Sequence, residues 1–166
     1  MVKYKQIESE TLTMTKIMFV CHGNICRSPM AEFIFKKLVD DRGLSNEFVI
    51  KSSATSTEEI IRGVGNPIYP PAARELQRHS IPYTERRATQ LSKNDLDKYD
   101  LFIGMDSANI RNMNLILGEG ASDKIFKLMG FTLRGGDVAD PWYSDRFDIA
   151  YLDIYDGCSA LLEKMI

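Results

Sequence analysis

The chain is expected to belong to the α/β class, as an open, mostly four-stranded parallel sheet with helices on both faces. Three observations predict this. Short apolar runs with the composition of buried strands recur at "KIMFVC" (16–21), "FVIKSSA" (48–54), "DLFIGM" (100–105) and "KIFKLM" (124–129). Segments with helical spacing alternate with them, the pattern of parallel βαβ units joined by right-handed crossovers. No internal repeat, low-complexity tract or linker interrupts the alternation, so residues 16–166 read as one domain.

Residues 1–15 read as a disordered extension, with Met14 an alternative start. The first strand, 16–21, is punctuated by Gly23 and Asn24. "SPMAEFIFKKLVDDRG" then reads as a helix capped by Ser28, with Pro29 at its first position and Gly43 beyond its end. Met30, Phe33, Ile34 and Leu38 give that helix an apolar face. After the strand at 48–54 come a Gly/Pro loop, "RGVGNPIYPP" (62–71), and a short helix, "AARELQRH" (72–79). Ser92 caps a brief helix, the strand 100–105 follows, and Asp106 opens a helix through Leu117. The strand 124–129 leads into a long loop, "GFTLRGGDVADPWYSDR". A last helix carries Phe147, Ala150, Tyr151, Ile154, Cys158, Leu161, Leu162 and Met165 on one face.

Composition narrows the function. Twenty-one Lys and Arg against twenty-three Asp and Glu leave a net charge of −2, which gives no support for a nucleic-acid or membrane-surface partner. No apolar run approaches the ~20 residues of a membrane span, and the N-terminus lacks the apolar segment of a secretory signal. Three cysteines, an odd number, point to free thiols in a reducing cytoplasm. Two histidines are a thin supply of metal ligands, and no metal or organic cofactor is expected.

The chemistry concentrates in "CHGNICRS" (21–28). Open parallel sheets bind ligands beyond the carboxyl ends of their strands, where Cys21, Asp106 and the 130–143 loop fall. A turn entering a helix N-terminus gathers N–H groups on a positive dipole end and so forms an anion site. Arg27 adds a planar fork of donors suited to phosphate. A cysteine held in that field ionises readily, and the thiolate is the form that attacks. The turn is not a Walker A loop, because no Gly-Lys-Ser/Thr follows.

"VCHGNICRSPMAE" (20–32) resembles the low-molecular-weight protein tyrosine phosphatases, whose signature is Cys-x5-Arg-Ser/Thr at the first strand-to-helix turn. The similarity continues through "SSATS" (52–56), "GNPIYPPA" (65–72), "MDSANI" (105–110) and "DPWY" (140–143). The resemblance implies a flavodoxin-like wound architecture and hydrolysis of phosphotyrosine by a cysteinyl-phosphate route. It makes Cys21 the nucleophile, Arg27 the group that grips the phosphoryl oxygens, and Asp140 the general acid and then base. His22, Gly23, Asn24, Ile25, Cys26 and Arg27 would form the phosphate-binding loop. Ser28 would assist the thiolate, and Asn24 would brace the loop through neighbours including Ser52 and His79. Trp142 and Tyr143 would wall the pocket, with Glu58 at its edge, and Cys26 would pair with Cys21 under oxidation. The implied partners are phosphotyrosine-containing proteins, phosphate and similar oxyanions, met by a monomer or weak dimer.

Plainer readings apply to some of these residues. Cys158 reads as core, His79 as a structural histidine at a helix end, His22 as an ordinary loop residue, and Asp106 first as a helix cap. Two places depart from the family pattern. Thr57, Glu58 and Glu59 stand where an aromatic residue often faces substrate, and "EIIRGVGNP" runs about four residues longer than in shorter relatives. Among rivals of the same fold, a phosphoarginine phosphatase carries Thr where this chain has Ile25, and arsenate reductases need two further late cysteines where only Cys158 remains. A silent phosphotyrosine reader would lack the nucleophile or the acid, whereas a redox sensor would use Cys21 and Cys26 with little turnover.

Overall fold

The computed structural model describes residues 13–166. Of the extension expected at 1–15, residues 1–12 therefore lie outside the described residues, and Thr15 already opens the first strand. In order, the elements are β1 (Thr15–Cys21), α1 (Arg27–Asp41), β2 (Phe48–Ala54), the short strands β3 (Ile60–Ile61) and β4 (Val64–Gly65), and α2 (Pro70–Arg78). They continue with β5 (Leu101–Gly104), α3 (Ser107–Leu117), β6 (Ile125–Lys127), α4 (Pro141–Ser144) and α5 (Phe147–Met165).

The main sheet has four parallel strands in the order β2-β1-β5-β6. β1 is central and its residues from Ile17 to Cys21 are all buried, which is why its sequence is a continuous apolar run rather than an alternating one. Its side chains divide between two layers. Ile17 and Phe19 join a core with Ile34 and Phe35 of α1 and Ile154 and Leu161 of α5. Met18 and Val20 pack with Phe102, Met113 and Leu117 around α3. Helices thus cover both faces, as the alternation of elements predicts. From β1 the chain goes out to β2 and then returns across β1 to β5, so the strand order reverses beside the carboxyl end of β1.

Local departures from the expected boundaries have physical causes. α1 begins at Arg27 rather than after a Ser28 cap, because the Ser28 hydroxyl is engaged with Cys21. Pro29 remains in the first turn, where a missing N–H leaves no intrahelical bond unmade. α2 takes in Pro70 and Pro71, whose fixed φ suits a helix start. The expected Gly/Pro loop contains a hairpin, β3–β4, turned by Arg62 at φ 53° and Gly63 at φ 78°, both in the left-handed region that tight hairpins need. The loop after β6 contains α4, with Asp140 as its cap and Pro141 at its first position. Among the described residues no helix is long and apolar enough to cross a membrane.

Candidate active site

Cys21 is the last residue of β1, and the chain from His22 to Cys26 folds over its side chain before entering α1. The sulfur is almost fully buried and donates to Ser28 Oγ at 3.0 Å. Two backbone N–H groups, those of Asn24 and Ser28, point at it from 3.3 and 3.4 Å. Ser28 Oγ also accepts from Asn24 Nδ2 at 2.8 Å. The turn depends on Asn24, which holds φ at 59°, a conformation that asparagine tolerates better than most residues. Its carbonyl oxygen and Oδ1 both accept from the Arg86 guanidinium, and Oδ1 also accepts from Thr89 N at 3.1 Å. Burial lowers the Arg86 guanidinium from its ordinary value, with Glu32 and Cys21 pulling it back up.

Arg27, only 4% exposed, spreads its fork toward three acceptors. Nη1 donates to Val138 O at 3.1 Å, and Nη2 donates to Asp106 Oδ2 at 2.9 Å and to Asp140 Oδ2 at 3.4 Å. Burial works against its charge, but Cys21, Asp140 and Asp106 outweigh that and keep the guanidinium above its already high ordinary value. Asp106 serves twice, because its Oδ1 accepts from Asn109 N at the start of α3 while Oδ2 faces Arg27. Asp140 is placed the same way, with Oδ1 accepting from Trp142 N at 3.1 Å and Oδ2 turned to Arg27. These groups open on one cleft of about 500 Å³, whose lining also includes Trp142, Tyr143, Glu58 and Glu59. The arrangement offers inward N–H donors, a buried guanidinium and a sulfur at the bottom, which suits a tetrahedral anion.

Residues 16–166 match the family model described as low molecular weight phosphotyrosine protein phosphatase. The chain belongs to that family. It is 35% identical over 154 residues to the low molecular weight protein-tyrosine-phosphatase YfkJ of Bacillus subtilis, covering 92% of this chain and 96% of that one. Identity to the low molecular weight phosphotyrosine protein phosphatase of Homo sapiens is also 35%, over 153 residues, with 89% and 94% covered. The crystal structure of YfkJ superposes with a TM-score of 0.86 at 34% identity, covering 92% and 95%. The low molecular weight protein tyrosine phosphatase of Streptococcus pyogenes does so at 0.82 and 36%, covering 92% and 94%.

Within this phosphatase fold, the structure brings together Cys21, Asn24, Arg27, Ser28 and Asp140, all named from the sequence. His22, Gly23, Ile25 and Cys26 complete the loop and line the cleft with Glu58, Trp142 and Tyr143. Burial, with the charges of Cys21 and Asp140 adding to it, pushes the Cys26 thiol well above its ordinary range. Ser52 and His79 differ from expectation. Ser52 Oγ donates to the buried Glu32 at 2.6 Å, and only its carbonyl oxygen reaches toward the loop, accepting from Thr89 Oγ1 at 3.3 Å. His79 pairs with Glu75 at 3.2 Å and stacks on Tyr151 with ring centroids 3.6 Å apart. Its plainer reading as a structural histidine at a helix end matches this placement.

Arg86, Thr89 and Val138 escape the sequence reading, whereas Asp106 is placed by it at a strand's carboxyl end and read first as a cap. Asp106 lies two residues beyond the end of β5, at the same carboxyl edge of the sheet as Cys21. Arg86, in "TERRATQ", carries no usable signal, for nothing local separates it from the neighbouring Arg87, which donates to Gly65 O.

Proposed function

We propose that this chain hydrolyses phosphotyrosine in proteins through a cysteinyl-phosphate intermediate. The observation that carries the reading is the sulfur of Cys21 at the base of a loop whose N–H groups converge on it, with Arg27 and Asp140 facing the same cleft. A phosphate dianion entering the loop takes donors from the backbone and from Arg27. Of the three Arg27 bonds, the one to Asp140 is longest at 3.4 Å, and it is the one to yield. Asp106 and Val138 O then hold the fork in place, and Asp140 is released to act on the leaving group.

In the first step the thiolate forms an S–P bond as the P–O bond to the tyrosyl oxygen breaks, and Asp140 gives that oxygen its proton. In the second step water attacks phosphorus, Asp140 takes its proton, the S–P bond breaks, and inorganic phosphate leaves. Ser28 Oγ, 3.0 Å from the sulfur, is placed to donate to the departing thiolate. Trp142 and Tyr143, exposed at the rim, flank the substrate ring. Cys26, a buried free thiol in the same loop, is the partner with which Cys21 forms a protective disulfide under oxidation. The setting is a reducing cytoplasm, the partners are phosphotyrosine-containing proteins, and the active form is a monomer or weak dimer.

The test is hydrolysis of phenyl phosphate with EDTA present. Turnover should survive EDTA, vanish in Cys21→Ser, and fall in Asp140→Ala by about 10²–10⁴-fold, most steeply for esters of poor leaving groups. Absence of turnover by freshly reduced protein would overturn the reading, as would faster turnover of phosphoarginine.

A further inference from the structure

The cleft combines an anion-binding floor with an acidic wall. Its lining carries four carboxylates, Glu58, Glu59, Asp106 and Asp140, against Arg27 and His22 as the basic side chains. Asp106 and Asp140 face Arg27, but Glu58 and Glu59 do not. Glu58 Oε2 lies 2.9 Å from His22 Nε2 and its side chain is mostly exposed. Glu59 accepts from the neutral amide of Asn66, at 2.8 Å to Oε2, and its backbone carbonyl accepts from Asn66 N at 2.8 Å. These bonds clamp the base of the β3–β4 hairpin and fix Glu59 against the loop. A Cβ built on Gly23 would come within 3.1 Å of Glu59 Cγ. Two carboxylates therefore stand at the edge of a site built for a dianion, where they oppose a bare phosphate and favour a cation carried beside it.

We infer that Glu58 and Glu59 form a specificity wall that selects phosphotyrosyl segments with a Lys or Arg next to the phosphotyrosine and disfavours acidic ones. This rests on the reading of the cleft as a phosphotyrosine phosphatase site. The phosphate occupies Arg27, the ring lies along Trp142 and Tyr143, and the flanking ammonium or guanidinium meets Glu58 and Glu59.

Three synthetic phosphotyrosyl peptides test it, identical except for Lys, Ala or Glu on both sides of the phosphotyrosine, with phenyl phosphate as the uncharged-flank reference. At low salt kcat/KM should fall in the order Lys, Ala, Glu, with about a tenfold or larger span that shrinks at about 0.5 M salt. The double variant Glu58→Gln, Glu59→Gln should compress the Lys-to-Glu ratio to about twofold, each rate read against that variant's own rate on phenyl phosphate. Gln at 59 can still accept from Asn66. Should the double variant not fold, Glu58→Gln alone changes an exposed side chain and should remove part of the ratio. Equal rates for the three peptides, a preference for the Glu peptide, or a ratio unmoved in the variants overturns the inference while phenyl phosphate turnover leaves the phosphatase reading standing. No turnover of phenyl phosphate overturns that reading, and the inference with it.

Discussion

Asn24 shows how much a single residue carries. Its φ of 59° turns the loop so that its own N–H and that of Ser28 face the sulfur of Cys21. A left-handed non-glycine residue costs about 1–2 kcal/mol, and the two-pronged grip of Arg86 on its carbonyl and Oδ1 offsets that. Arg86 is therefore a positioning residue, which grips the loop through Asn24 and does not line the cleft. Arg86→Leu should lower kcat/KM on phenyl phosphate by about 10–100-fold and weaken competitive inhibition by inorganic phosphate in parallel, because a lost grip of about 1–3 kcal/mol disorders the anion site. Arg86→Lys, keeping the charge but not the fork, should recover only part of both. A loss of thermal stability with unchanged phosphate inhibition would count against the positioning role. The three thiols are also distinguishable at this scale. Burial holds Cys26 and Cys158 above the ordinary thiol range, so iodoacetamide at neutral pH should label Cys21 first, with phosphate protecting it, as peptide mass mapping would show.

At the scale of elements, close approach decides what the sequence tolerates. α5 passes the turn at Leu128–Phe131 at Gly157, where an added Cβ would lie 2.5 Å from Leu128 Cγ. Alanine would gain about 1 kcal/mol of helix propensity there, but crowding a fully buried leucine costs about 1–3 kcal/mol, and the packing effect wins. Gly157→Ala should destabilise by about 1 kcal/mol in urea unfolding, with little change in the slope against denaturant. The hairpin offers the opposite case. Arg62 occupies a left-handed position that asparagine fills at lower cost, so Arg62→Asn should stabilise by about 0.5 kcal/mol. A fall in the unfolding midpoint would show instead that the arginine side chain holds the hairpin.

The whole molecule responds to pH through the same buried thiols. Cys26 and Cys158 keep their protons in the fold, chiefly because burial disfavours the thiolate, while in the unfolded chain they ionise near 9.0. Above that value the unfolded chain binds fewer protons than the native one, so the free energy of unfolding falls as pH rises, by up to about 1.4 kcal/mol per unit for each thiol. Thermal midpoints measured from about pH 8 to about pH 10.5 should drop accordingly. Cys158→Ala, although less stable at neutral pH, should show the shallower drop. An equal slope in that variant would assign the alkaline loss to other groups, such as the raised phenols of Tyr99 and Tyr151.

The fold class and the centre of the site are readable from the order of the amino acids alone. Four buried strands and their helices leave a periodic trace, and Cys21 to Ser28 is one contiguous turn in which spacing alone joins sulfur, N–H groups and guanidinium. Asp140 was legible only through the family resemblance, because 118 residues separate it from Cys21 and Asp-Pro is an ordinary turn pair. The support around that centre arises only in the folded arrangement. Arg86 rather than His79 grips Asn24, Asp106 orients Arg27 as well as capping α3, and Glu32 rather than the loop receives Ser52. These choices depend on which side chains reach one point after strands β1, β2 and β5 align side by side. A hydrogen-bond partner more than sixty residues away along the chain, as Arg86 is from Asn24, leaves no periodicity or local propensity to read.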